Sequence, residues 1–310
     1  MNRYPVWIDC DVGCDDAIAI LLAHGSEEID LLAISTVAGN ASLDNTFRNA
    51  HRVNGLIGAG YPIYAGADRP LLREAKIAPK FHGVDGLGEI DLPMPENAVI
   101  REEKAWDALY AQAKRLPGQL RLVAIGPLTN VAIAFTKYPD LPKLLHSVLI
   151  MGGGATHGNR TPAAEFNIYA DPEAAKLVFE AGCPIVMCGL DVTMKAYITQ
   201  EDMDELYAAG TPAARFPKEC LRLSWAVQKS MGLPGAMMHD SCPVMYILHP
   251  EYFSGEEAGV VIETRSSLTL GKTVTDLYSD KQFDFKNALV LLNVDRSRFV
   301  ATLKKAILSI

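Results

Sequence analysis

The chain has 310 residues, with 29 Lys+Arg against 37 Asp+Glu and a formal net charge of −8. A hydrophobic share of 49% with 21% charged residues excludes an intrinsically disordered chain. The acidic balance argues against a binder of nucleic acid or of an anionic membrane and suits a cation site.

Taken in chain order, residues 6–8 form a short β-prone run that ends at Asp9. Asp15 and Asp16 then open an amphipathic stretch over 17–24, where acids suit a helix N-terminus. A strand over 31–37 ends in Ala38-Gly39-Asn40, followed by a helix over 43–58 and a strand over 63–65. The stretch 66–96 is rich in Pro, Gly and charge and reads as a long loop of the kind used for binding or closure. Next come a helix over 102–115, a strand over 120–125, a helix from near Asn130 and a strand over 147–151. A helix over 172–181 and a strand over 184–188 continue the pattern. Residues 190–256 read as mostly helical, including helices over 216–231 and 243–249. Residues 257–294 turn β-prone, and 296–309 close the chain as a helix. This alternation predicts an α/β fold: an open, mainly parallel β-sheet flanked by helices. No composition break divides it, so residues 1–310 are expected to form a single domain.

Asp9 and Asp11 interrupt the N-terminal apolar run, so no signal peptide is expected. No later run approaches the roughly 20 apolar residues of a spanning helix. Six cysteines, at 10, 14, 183, 188, 220 and 242, are too sparse for a disulfide framework. They read as buried thiols in a reducing cytoplasm.

The densest chemistry lies in Asp9-Cys10-Asp11-Val12-Gly13-Cys14-Asp15-Asp16. Helix capping explains Asp15 or Asp16, but it leaves Asp9 and Asp11 at the end of a hydrophobic strand unexplained. Crowded carboxylates must be neutralised by protons, hydrogen bonds or a cation. An all-oxygen set favours Ca²⁺ or Mg²⁺. Phosphate motifs fail: Gly152-Gly153-Gly154-Ala155-Thr156-His157-Gly158 does not fit G-x-G-x-x-G. Gly271-Lys272-Thr273 has Ser266 where a Walker loop needs glycine. Taken alone, His82, Asn159, Glu165, Asn167 and His239-Asp240 each have a structural explanation as turn or cap residues.

Together they do not. Asp9-x-Asp11-x-Gly13-x-Asp15-Asp16 resembles the DxDxGxDD signature of the inosine-uridine preferring nucleoside hydrolase family. The likeness continues through Thr36-Val37-Ala38-Gly39-Asn40, His82-Gly83-Val84-Asp85-Gly86-Leu87-Gly88 and Gly126-Pro127-Leu128-Thr129-Asn130. It runs on in Met151-Gly152-Gly153-Gly154, Ala164-Glu165-Phe166-Asn167, Asp171-Pro172-Glu173-Ala174-Ala175 and His239-Asp240. The motifs fall in family order over most of the chain. Val12 departs from the pattern, since many members carry Pro there.

The resemblance implies a Rossmann-like fold and a Ca²⁺-dependent hydrolase that cleaves ribonucleosides to free base and ribose, in nucleoside salvage or catabolism. It implies Asp11, Asp16, Asp240 and the main-chain carbonyl of Ile125 as metal ligands, with Asp11 also the general base. Asp15, Asn40, Asn159, Glu165 and Asn167 would hold the sugar, with Met151 and Phe166 beside it and Asp9 as support behind the ligands. His239 would assist departure of the base, and His82 would close on it. Cleavage builds positive charge on the ribose ring, which carboxylate and amide oxygens stabilise. Helix 216–231, with Trp225 and Gln228, is expected on the base side. Phe81-His82 resembles the subgroup that takes inosine, uridine or cytidine. The expected partner is a small-molecule ribonucleoside, with no nucleic acid or membrane, and the expected state is a homodimer or homotetramer. Two rivals remain: a Mg²⁺-dependent phosphatase using Asp9 or Asp11, with Lys195 a candidate for holding phosphate, and a non-catalytic nucleoside-binding protein.

Overall fold

The computed structural model describes residues 3–75, 77, 79–96 and 98–310. The first half of the chain lays down β1 (Tyr4–Cys10), α1 (Cys14–His24), β2 (Ile29–Thr36), α2 (Leu43–Leu56) and β3 (Ile63–Ala65). After the short α3 (Pro79–His82) come α4 (Ala105–Arg115), β4 (Leu120–Ala124), α5 (Thr129–Lys137), α6 (Leu141–Leu144) and β5 (Leu145–Met151). The chain continues with α7 (Phe166–Ala170), α8 (Pro172–Phe179), β6 (Ile185–Cys188), α9 (Leu190–Thr193) and β7 (Tyr197–Ile198). Helices α10 (Gln200–Ala208), α11 (Pro212–Cys220) and α12 (Arg222–Ser230) lead to β8 (Ala236–Met237) and α13 (Ser241–Leu248). Strands β9 (Phe253–Ala258), β10 (Val260–Ile262), β11 (Thr273–Thr275) and β12 (Ala288–Val294) precede the closing α14 (Arg296–Leu308).

Among the described residues, eight strands form one sheet in the order β3-β2-β1-β4-β5-β6-β12-β9. All neighbours are parallel except β9, which runs antiparallel to β12. Strand segments buried on both faces favour apolar residues at successive positions, so residues 6–8 of β1, 122–124 of β4 and 148–151 of β5 read as continuous hydrophobic runs rather than alternating ones. Val6, Ile8, Val123 and Leu149 pack on one face with α1, α13 and α14. Trp7, Leu122, Val148 and Ile150 pack on the other with α4, α5 and α8. Helix α1 is apolar on every side after Asp16, as suits a helix sunk in the core.

The strand order reverses at β1. β2 and β3 lie to one side of it, and β4, β5 and β6 to the other. Connections leaving the carboxyl ends of β1 and β4 therefore part company, and a crevice opens there. The Asp-rich segment after β1 and Ile125-Gly126 after β4 both sit at this crevice.

Some expected elements differ in detail from the structure. The helix expected over 216–231 is two, α11 and α12, joined at Leu221. Pro217 withholds one N–H within α11, and the turn lets α12 cross the cleft while α11 packs on α10 and α1. The region 190–256 is mostly helical, as expected, and also holds short strands: β7 and β8 pair as a two-residue antiparallel ladder, and β9 begins at Phe253. Strands this short carry no periodicity to read. The helix expected over 102–115 begins at Ala105. The loop expected over 66–96 contains α3, and residues 76 and 78 within it lie outside the described residues. All six cysteines are free and buried. Among the described residues, no helix is long and apolar enough to cross a membrane.

Candidate active site

A cleft of about 530 Å³ opens at the carboxyl ends of the central strands, within the roughly 300–1,000 Å³ range of ligand pockets. Asp15, Asn40, Ile125, Met151 and Asp240 form its inner wall. Asn159, Glu165, Phe166 and Asn167 line one side, and His82, Gln228 and His239 line the other parts. Asp11 and Asp16 lie just beneath, fully buried.

Each acid is held by backbone. The Asn40 N–H donates to Asp11 Oδ2 at 2.6 Å. Asp16, in the first turn of α1, accepts from the Gly13 N–H at 2.8 Å and from the Asp11 N–H at 3.2 Å. That is the acid-at-N3 arrangement of a helix start, turned here to shape a loop. Asp11 also needs glycines around it. A Cβ at Gly39 would stand 2.1 Å from Asp11 Oδ2, and one at Gly126 would stand 2.8 Å from Oδ1.

Carboxylate oxygens of Asp15, Asp16 and Asp240 approach within 4.8 Å of one another. Oδ1 of Asp11 is buried with no hydrogen-bond partner among the described residues. Burial and mutual repulsion push Asp11 and Asp240 well above the usual carboxylate range. Burial, with the Asp15 charge next in size, lifts Asp16 to about 7. Convergent oxygens, an orphaned buried oxygen and uncompensated charge are what a hard divalent cation satisfies. The residues therefore fit such an ion.

Asp9 has a different place. It alternates with Cys10 and lies on the Trp7 face of the sheet. There Oδ1 accepts from the Ser35 hydroxyl and, at 2.8 Å, from Asn130 Nδ2. Asn130 Oδ1 in turn accepts from the Ala67 N–H. Asp9 thus ties β1, β2 and α5 together behind the acids. Burial raises it to about 6 against the pull of these hydrogen bonds.

On the side expected to meet the sugar, Glu165 caps α7. Oε1 accepts from the Asn167 N–H, and Oε2 accepts from the Gly153 and Ile168 N–H groups. Burial lifts it to about 7 despite these amides. Asn159 Oδ1 accepts from the Phe166 N–H at 2.9 Å. Asn167 Nδ2 donates to the carbonyls of Ile125 and Met151, joining this side to the floor. A carbonyl has two lone pairs, so Ile125 retains one for a cation.

On the side expected to meet the base, Gln228 Oε1 accepts from the Met237 N–H at 2.9 Å, which leaves its amide nitrogen without a partner among the described residues. Ser224, one helical turn earlier, also lines the cleft. The four-residue spacing on one helix face was a readable signal for it. Trp225 is not in this wall: its indole N–H donates to Gln200 Oε1 on the far side of α12. Nδ1 of His82 lies 3.3 Å from the Cys14 backbone nitrogen. Burial alone would lower His82, but its bond to Cys14 and the Asp15, Cys14 and Asp16 charges carry it up to about 9. Burial holds His239 below its ordinary range, with Asp15 opposing and His82 reinforcing the shift. Cys14, Phe81, Leu190 and Arg160 also line the cleft; no motif marked Cys14, Leu190 or Arg160 beforehand. Lys195, needed by the phosphatase rival, is bonded to Asn293 Oδ1 and the Leu292 carbonyl, away from the cleft.

A family model described as inosine-uridine preferring nucleoside hydrolase matches residues 6–301. The chain is 43% identical over 302 residues to the pyrimidine-specific ribonucleoside hydrolase RihA of Citrobacter koseri, spanning 96% of this chain and 95% of that one. It is similar in structure to a plant nucleoside hydrolase, PpNRh1, with a TM-score of 0.92 at 28% identity over 98% of this chain and 99% of the other. A purine-preferring ribonucleoside hydrolase from Gardnerella vaginalis gives a TM-score of 0.92 at 27% identity, over 98% of both.

Proposed function

This chain belongs to the inosine-uridine preferring nucleoside hydrolase family and is an N-ribosyl hydrolase, and on that premise we propose that it is a Ca²⁺-dependent hydrolase of pyrimidine ribonucleosides. The observation that carries the reading is the cleft itself, which brings Asp15 and Asp240 together with Asn159, Glu165, Asn167 and His239. The pyrimidine preference is supported by the name of the relative at 43% identity. The amide of Gln228 and the hydroxyl of Ser224 on the base side, with Trp225 turned away, suit a small polar ring better than a stacked purine.

Asp11, Asp16, Asp240 and the Ile125 carbonyl would hold the Ca²⁺, which when bound polarises the attacking water. Asp11 accepts the proton of that water on its carboxylate. Asp15 and Asn40 meet the ribose hydroxyls, and Asn159, Glu165 and Asn167 hold the far side of the sugar. Their oxygens face the ring where positive charge grows as the N-glycosidic bond lengthens. His239 hydrogen-bonds the departing base, and Phe166 and Met151 give the sugar an apolar face.

Ribose release from a panel of nucleosides, with and without EDTA, tests this. Uridine and cytidine should be cleaved faster than inosine, EDTA should stop all turnover, and deoxyuridine should be poor because Asp15 loses its hydroxyl partner. Phosphate release from nucleotides without ribose release from any nucleoside would overturn the reading.

The acid cluster also makes stability depend on pH once the cation is stripped. The folded state raises Asp9 from 3.8 to about 6 and Asp16 from 3.8 to about 7, in both mainly by burial. Between these values the folded chain holds more protons than the unfolded one, so stability falls as pH rises through the window. In EDTA the thermal midpoint should be lower at about pH 7.5 than at about pH 5, and Ca²⁺ should restore it at the higher pH. A midpoint that climbs with pH in EDTA would contradict the assignment.

A further inference from the structure

Thr193 ends α9 and is fully buried. Its hydroxyl oxygen lies 2.8 Å from Nδ1 of His239. The two meet because β7 pairs with β8 and the Met238 N–H donates to the Ala196 carbonyl, which lays the chain after β8 against the chain after α9. The hydroxyl has no other hydrogen-bond partner among the described residues. A Thr at a helix end often donates to the carbonyl four residues back. Here that carbonyl, on Gly189, accepts from the Val192 and Thr193 N–H groups instead.

A buried hydroxyl must place its proton on an acceptor. If Thr193 accepted from an N–H at Nδ1, its own proton would be stranded in the interior, which is the costly case. Thr193 is therefore the donor, and Nδ1 carries a lone pair. A neutral imidazole with a lone pair at Nδ1 has its one proton on Nε2. We infer that Thr193 is a positioning residue, which by donating to Nδ1 holds His239 as the Nε2–H tautomer and presents that N–H to the cleft as a donor to the departing base. The inference rests on the reading of His239 as the residue that meets the leaving group, and adds what sets its donor. The ring gives up no proton: as electron density moves from the breaking bond onto the base, the Nε2–H hydrogen bond to a base oxygen strengthens. A ring in the other tautomer would turn a lone pair toward that oxygen and repel it.

The test compares Thr193→Val, which keeps the β-branched shape and removes the hydroxyl, with Thr193→Ser, which keeps the hydroxyl. For Thr193→Val, kcat on uridine should fall roughly 10-fold, the scale of one lost hydrogen bond. KM and turnover of p-nitrophenyl riboside, whose leaving group needs no donor, should stay near wild type. Thr193→Ser should recover most of the uridine rate. ¹⁵N spectra of histidine-labelled enzyme, assigned against His239→Ala, give a readout apart from turnover: a lone-pair Nδ1 in wild type and Thr193→Ser, and a mixed tautomer in Thr193→Val. An N–H at Nδ1 in the wild type would overturn the inference, as would equal losses on both substrates in Thr193→Val, or none. If His239→Ala is selective for uridine while Thr193→Val is not, the inference fails and the role of His239 stands. If His239→Ala lowers both substrates alike, the reading beneath it fails as well.

Discussion

Asp11→Asn is expected to remove turnover of every nucleoside, by roughly 10⁴-fold or more, the upper end of the scale for one general base. The loss should be this large because one side chain has two duties. It is the proposed acceptor of the attacking water's proton, and it is one of the ligands expected for the cation. Shape is kept: the Asn40 N–H that now donates to Oδ2 can donate to the amide oxygen instead. The variant should therefore fold, and Ca²⁺ titration by calorimetry should show weakened binding alongside the lost activity. Nucleoside turnover within tenfold of wild type would refute the role of Asp11. Loss of turnover with undiminished Ca²⁺ affinity would keep the base and remove the ligand.

His239→Ala has the second large effect, and its signature is selectivity. Turnover of uridine should fall roughly 10²- to 10³-fold, the usual scale for losing one donor aimed at charge that develops on a leaving group. p-Nitrophenyl riboside should be nearly indifferent. Ca²⁺ binding should survive, since the expected ligand is the neighbouring Asp240 and not His239. Were His239 only packing beside the metal loop, both substrates would suffer by a similar factor.

The two variants probe parts of the site that were unequally legible. The N-terminal acids stood out because their chemistry is local: four carboxylates in eight residues at a strand end have few explanations. The order of strands and helices was readable for the same reason. A buried parallel strand must be apolar along its length, and a helix start favours acids, whatever the rest of the chain does. The pairing of Asp11 and Asp16 with Asp240 was reached through resemblance to a family, since nothing near residue 240 requires it to fold back onto β1.

Other features came from tertiary packing alone. The break at Leu221 turned α12 across the cleft, put Gln228 and Ser224 on its wall and left Trp225 bonded to Gln200 on the other side. A continuous helical periodicity holds no record of such a turn. Lys195 looked available to a phosphate until the fold placed it against Asn293. Thr193 carried no signal at all, because its meaning lies in a contact with His239 made by two-residue strands. By itself the sequence determined the alternating α/β architecture, the acid-rich strand end and the motif set of the family, all of which depend on neighbours in the chain. The tertiary structure decided which side chains share the cleft, which way α12 faces and which nitrogen of His239 is engaged, because those follow from contacts between segments far apart in sequence.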